Sequence, residues 1–90
     1  MAKKRERLDL IYDILLVIRN NSSQIRPTKL LQSSNLSSLM FKEYIQELLE
    51  KEFVEELSIK HIKHYRLTQK GNTFIDKYKE IKLVIENFGL

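Results

Sequence analysis

The clearest periodicity in the chain lies at Phe41, Tyr44, Ile45, Leu48 and Leu49, which recur at the spacing of one helix face. Lys42, Glu43, Gln46, Glu47 and Glu50 fill the opposite face. The pattern predicts an amphipathic helix over about 37–51 whose apolar side enters a core. Ser37 marks its start, because a serine hydroxyl there can accept a hydrogen bond from the free amides of the first turn. Leu36, just before it, is placed to pack on Phe41 as a hydrophobic staple. Upstream, Pro27 suits a first helical position, where its missing N–H costs no bond, and Leu30 and Leu31 supply the buried side of a helix of about two turns. The two helices flank the turn Ser33-Ser34-Asn35-Leu36. They form either a plain helical hairpin or a helix-turn-helix, and the local sequence does not decide between these.

From Leu8 to Ile18 the apolar positions make a band wider than one stripe, so this helix needs covering on more than one side. Asn20 to Ser23 is a loop by composition, and Gln24-Ile25-Arg26 is pushed toward extended geometry by the proline that follows. Between Phe53 and Thr68 the character changes: Phe53, Val54, Leu57, Ile59, Tyr65 and Leu67 are strand formers with polar residues between them, which predicts two antiparallel strands. The turn falls in Lys60-His61-Ile62-Lys63. It has no Asn-Gly, Asp-Gly or Gly-Gly signal, which leaves the register open and allows a long or mobile loop. Helical spacing then returns at Phe74, Tyr78, Ile81, Ile85 and Phe88, a heptad seam over about two heptads. The expected class is α+β, mainly α.

Ninety residues make one domain, and a chain of this size buries only about 60–65% of its unfolded surface, so association would add to a modest core. The net charge of +4 favours an anionic partner. No apolar run approaches the roughly 20 residues that span a bilayer, and the N-terminus lacks the features of a signal peptide. The absence of cysteine removes disulfides, thiolate chemistry and the usual structural zinc sites, and a cytoplasmic location is expected. His61 and His64 have no suitable carboxylates or cysteines near them in sequence, so no metal or other cofactor is expected. With no phosphate-binding glycine loop and no nucleophile beside a base, no enzymatic activity is expected either.

Charge is partitioned: residues 1–42 carry +5, 43–58 carry −5, and 59–90 carry +4. Residues 1–7, with four basic groups and one acidic, read as a solvated arm.

Helix, helix-turn-helix, hairpin and last helix together describe a winged helix-turn-helix. Asn35-Leu36-Ser37, Phe41-Lys42 with Tyr44, Leu48-Leu49-Glu50-Lys51 and Leu67-Thr68-x-x-Gly71 resemble, in this order and spacing, the small archaeal winged-helix DNA-binding proteins that dimerise through a C-terminal coiled-coil helix. The resemblance runs from about Leu8 to Ile85. One position departs, because the family usually has glycine where this chain has Glu52; a non-glycine residue in the left-handed cap there costs roughly 1–2 kcal/mol.

The resemblance implies a double-stranded DNA-binding transcriptional regulator with a winged-helix domain over 8–72 and a dimerising helix over 73–90. The recognition helix would enter the major groove and a wing over about 58–66 would lie on the backbone. Arg26, Lys29, Ser38, Lys42, Gln46, Lys60, Lys63 and Arg66 are the expected DNA contacts, and Phe74, Tyr78, Ile81, Ile85 and Phe88 the expected dimer seam. Help for that seam is expected from Leu10 and Val17. Thr68 reads as a helix cap, and Gly71 as the place where the last helix crosses a neighbour. The competing function is a protein-interaction module that uses the acidic face 43–58.

Overall fold

The computed structural model describes residues 2–90, with side chains from Arg7 onward. Helix α1 (Ala2–Asn20) leads to strand β1 (Gln24–Ile25), helices α2 (Pro27–Ser34) and α3 (Ser38–Glu50), strands β2 (Val54–Ile59) and β3 (Ile62–Leu67), and helix α4 (Gln69–Asn87). The strands form one antiparallel sheet in the order β1-β3-β2.

Helix α1 takes in residues 2–7, where the charge pattern predicts an arm; Met1 lies outside the described residues. The physical reason is that lysine, arginine and glutamate are good helix formers, so a charged run distinguishes solvated from buried but not helix from coil. The wide apolar band of α1 is covered as its width requires. Ile11, Ile14, Leu15 and Ile18 are buried, in contact with β3, α2 and α4. Leu30 of α2, the Phe41, Ile45 and Leu48 face of α3, and Ile25, Val54, Tyr65, Leu67 and Ile75 complete the core.

The local signals at the helix ends have the expected geometry. Ser37 Oγ accepts from the Met40 amide at 3.2 Å, and Leu36 packs on the core cluster that holds Phe41. Helix α3 ends in a Schellman arrangement, with the Phe53 amide on the Leu48 carbonyl at 2.9 Å and the Glu52 amide on Leu49 at 3.1 Å. Glu52 sits in the left-handed region at φ 65°. Thr68 secures this turn from the other side. Its hydroxyl donates to the Glu52 carbonyl at 2.7 Å, with the Phe53 carbonyl also near at 3.0 Å, while accepting from the Gly71 amide at 3.1 Å to cap α4.

The hairpin turns within the expected segment Lys60 to Lys63, and it is tight where the sequence left the register open and allowed a long or mobile loop. Ile59 pairs with Ile62, so the connection is two residues, Lys60 at φ 52° and His61 at φ 67°. That is the doubly left-handed turn usually made by Asn-Gly, and here lysine and histidine adopt it. Register accounts for this: the pairing Val54↔Leu67 and Glu56↔Tyr65 puts Val54, Tyr65 and Leu67 on the core face, where all three are buried, and a slip of β2 by one residue would turn Val54 outward.

Candidate nucleic-acid interface

Every residue expected to contact DNA is exposed: Arg26 and Lys29 at the start of α2, Ser38, Lys42 and Gln46 on α3, and Lys60, Lys63 and Arg66 on the hairpin. Their electrostatic situations differ. Among the described residues, Arg26, Lys29, Lys42 and Lys60 have no ion-pair partner. Lys63 Nζ instead lies 3.3 Å from Glu56 Oε2 and over the Tyr65 ring at 5.3 Å. Arg66 Nη2 lies 2.7 Å from Glu55 Oε2. The Gln46 amide donates to Glu50 Oε2 at 3.0 Å. The hydrogen bond from Lys63 to the Glu56 carboxylate, and after it the interactions with the Tyr65 phenol group, hold the ammonium pKa above its usual value.

Alternation separates two of the residues expected to contact DNA. Lys63 shares a face of the hairpin with Tyr65 and Leu67, whereas Arg66 lies on the other face with His64 and Ile62. A row of phosphates approaching one face therefore meets one of the two. His64 Nδ1 lies 2.9 Å from the Ile62 carbonyl oxygen, a local contact. Among the described residues no three His, Asp or Glu side chains gather to hold a metal ion.

The acidic part of α3 is tied into the fold. Glu47 accepts from Arg7 of α1 and, at 2.9 Å, from Lys51 one turn on. The Arg7 hydrogen bond, then that of Lys51, holds the Glu47 carboxyl below its ordinary pKa. A carboxylate with a depressed folded pKa contributes stability that is present above the unfolded value of about 4.3 and is lost as pH falls through the folded value. Glu47→Gln is therefore expected to lower stability at neutral pH by roughly 0.5–1 kcal/mol. The gap from wild type should close below about pH 4. Urea denaturation at pH 7 and pH 3 measures both, and an equal gap at the two values would remove the ion pairs as its cause.

The heptad seam divides. Phe74 and Tyr78 are used inside the protomer: Phe53, Phe74, Tyr78 and Tyr12 form a ladder with ring centroids 5.6, 5.4 and 5.2 Å apart. Tyr78 Oη donates to Asp9 Oδ1 at 2.6 Å, and Lys82 Nζ approaches the same carboxylate at 3.5 Å. Helix α4 docks antiparallel on α1, and this takes up the first part of the seam. Beyond it Ile81 is 53% exposed, Val84 54% and Phe88 77%, while Ile85 is half-buried. Leu10 and Val17 line a cleft of about 440 Å³ beside the end of α2.

A three-helix core, a helix-turn-helix whose second helix shows a polar face, and a hairpin bracketed by that helix and the last one make up a winged-helix domain. The chain belongs to the winged helix-turn-helix family, whose model matches residues 4–86. It is 31% identical over 78 residues to an uncharacterized protein of Methanocaldococcus jannaschii. That match takes in 87% of this chain, which spans 34% of the relative's length. Among solved structures it is similar to Sso10a-2, a DNA-binding protein from Sulfolobus solfataricus, with a TM-score of 0.73 at 20% identity, covering 90% of this chain and 82% of that one. A winged-helix DNA-binding protein from STIV superimposes with a TM-score of 0.71 at 22% identity, covering 78% of this chain and 83% of the other. Both likenesses establish the fold.

Proposed function

We propose that this protein binds double-stranded DNA and acts as a transcriptional regulator, with α3 in the major groove and the β2–β3 hairpin against the backbone. The observation that carries this reading is the set Arg26, Lys29, Lys42 and Lys60, exposed cations without an ion-pair partner among the described residues, on the helix-turn-helix and the wing tip. Charge placed this way answers phosphate, and the polar face of α3 then lies against base edges, where Lys42 and Gln46 have the side chains for directional contacts. The DNA-binding character of the two similar structures supports the same reading. No helix among the described residues is long and apolar enough to cross a membrane. The acidic face 43–58 gives less support to a protein-interaction role, because Glu47, Glu55 and Glu56 already serve cations of the same chain.

Fluorescence anisotropy with a random duplex tests the reading. With four phosphates neutralised, affinity is expected to fall about tenfold for each doubling of salt. A protein folded by circular dichroism that binds no duplex at low ionic strength would overturn it.

The regulator acts as a homodimer through the far end of α4, where Ile81, Val84 and Phe88 stand exposed and Ile85 lies beside them. Burying each such side chain contributes roughly 1.5–3 kcal/mol before ordering costs. A two-fold pair would present two copies of α3 to a pseudo-palindromic site. Sedimentation at micromolar concentration is expected to give twice the chain mass, and Ile81→Asp to shift it toward monomer. A wild-type protein that sediments as a monomer throughout excludes this arrangement.

A further inference from the structure

The ion pairs on the wing have a direct bearing on how it meets DNA. Glu55 lies directly opposite Arg66 in the β2–β3 register, and Arg66 reaches one oxygen of its carboxylate with both Nε, at 2.9 Å, and Nη2, at 2.7 Å. Glu56 lies opposite Tyr65, so its neighbour along the same face is Lys63, at 3.3 Å. The first pair occupies one face of the hairpin and the second pair the other. All four side chains are between 46% and 52% exposed, so a phosphate can reach the same cations that the carboxylates hold. Carboxylate and phosphate ask the same thing of arginine and lysine, an anionic oxygen at hydrogen-bond distance.

Resting on the DNA-binding reading, we infer that Glu55 and Glu56 are built-in competitors for DNA phosphate: they hold Arg66 and Lys63, so that the wing meets a nonspecific duplex with Lys60, which has no ion-pair partner among the described residues. The carboxylates set how much of the wing's charge reaches the backbone. Gln46 is restrained in a similar way by Glu50, on α3. Glu55 and Glu56 thereby lower the charge that an arbitrary duplex meets, and leave Arg66 and Lys63 to be released where phosphates are held against them.

The test compares Glu55→Gln/Glu56→Gln with Glu80→Gln/Glu86→Gln, a pair on α4 that removes the same charge from residues without an ion-pair partner among the described residues. Binding to a random duplex is measured across a salt series. The β2 double variant is expected to bind at least about fivefold tighter than the α4 control, and its plot of log affinity against log salt to steepen by about one to two, roughly 0.9 for each freed cation. Lys63→Ala/Arg66→Ala is then added to wild type and to the β2 variant; the loss should be about fivefold larger in the variant, a coupling that a general change in net charge does not produce. A β2 variant that gains no more than the control, or equal losses in the two backgrounds, overturns the inference while leaving DNA binding intact. If neither wild type nor any variant binds duplex, the DNA-binding reading itself fails.

Discussion

Gly71→Ala is expected to destabilise the protein by about 3 kcal/mol and to lower its melting temperature by roughly 10–20 °C, the effect of overpacking against a rigid neighbour in a domain of this size. A Cβ at this position would lie 2.4 Å from the Phe53 carbonyl oxygen and 3.0 Å from Leu67 Cδ2. The first of these atoms is backbone and has no rotamer to escape into. That carbonyl also accepts from the Thr68 amide at 3.2 Å and lies 3.0 Å from the Thr68 hydroxyl, so displacing it loosens the α4 cap and the α3 exit together. Alanine normally favours a helix over glycine by about 1 kcal/mol, so helix propensity and packing make opposite predictions, and the contact at 2.4 Å decides in favour of packing. Calorimetry reads the result, and a melting temperature equal to or above wild type would show that α4 can shift away from the wing at little cost.

The opposite outcome is expected where the chain lacks glycine. Glu52, Lys60 and His61 all have φ between 52° and 67°, a region that costs a residue with a Cβ roughly 1–2 kcal/mol. Glycine in place of Glu52 and His61, with asparagine in place of Lys60, relieves that strain, while each glycine also adds freedom to the unfolded chain and returns part of the gain. The net expectation for Glu52→Gly/Lys60→Asn/His61→Gly is about 2 kcal/mol of added stability, or close to 10 °C in melting temperature. Thermal denaturation of the triple variant and of Glu52→Gly alone separates the cap from the turn. A neutral or destabilising result would mean that the side chains at these positions contribute contacts that outweigh the strain.

What was legible in the sequence was local or periodic. The Ser37 cap, the buried face of α3, the Thr68 cap and the crossing at Gly71 each rest on a residue type at a fixed offset, and each has the expected geometry. The helical state of residues 2–7 was not legible, because charge composition is compatible with both helix and coil. The tight turn at Lys60-His61 escaped for the reason that its residues disfavour it; tertiary pairing overrides their preference. At the interface the missing information was strand register. Without it neither Glu55 nor Glu56 could be matched to a cation, and with Lys63 assigned to the turn rather than to β3, alternation could not set it on the face opposite Arg66. The heptad seam marked an apolar face on α4, but a seam does not name its partner: Phe74 and Tyr78 turn out to have theirs within the protomer, while Ile81 and Phe88 are exposed.

The aromatic ladder also gives the fold an optical signature. The chain has no tryptophan and four tyrosines, and Tyr12 and Tyr78 sit with ring centroids 5.2 Å apart at 49° to each other, one on each of the two long helices. Near-ultraviolet circular dichroism depends on aromatic rings held in a fixed asymmetric setting, whereas the far-ultraviolet signal follows backbone helix. Undocking of α4 from α1 would therefore extinguish much of the tyrosine band while the helical signal persisted. Following both bands through a melt distinguishes a last helix that peels away first from a domain that unfolds in one step.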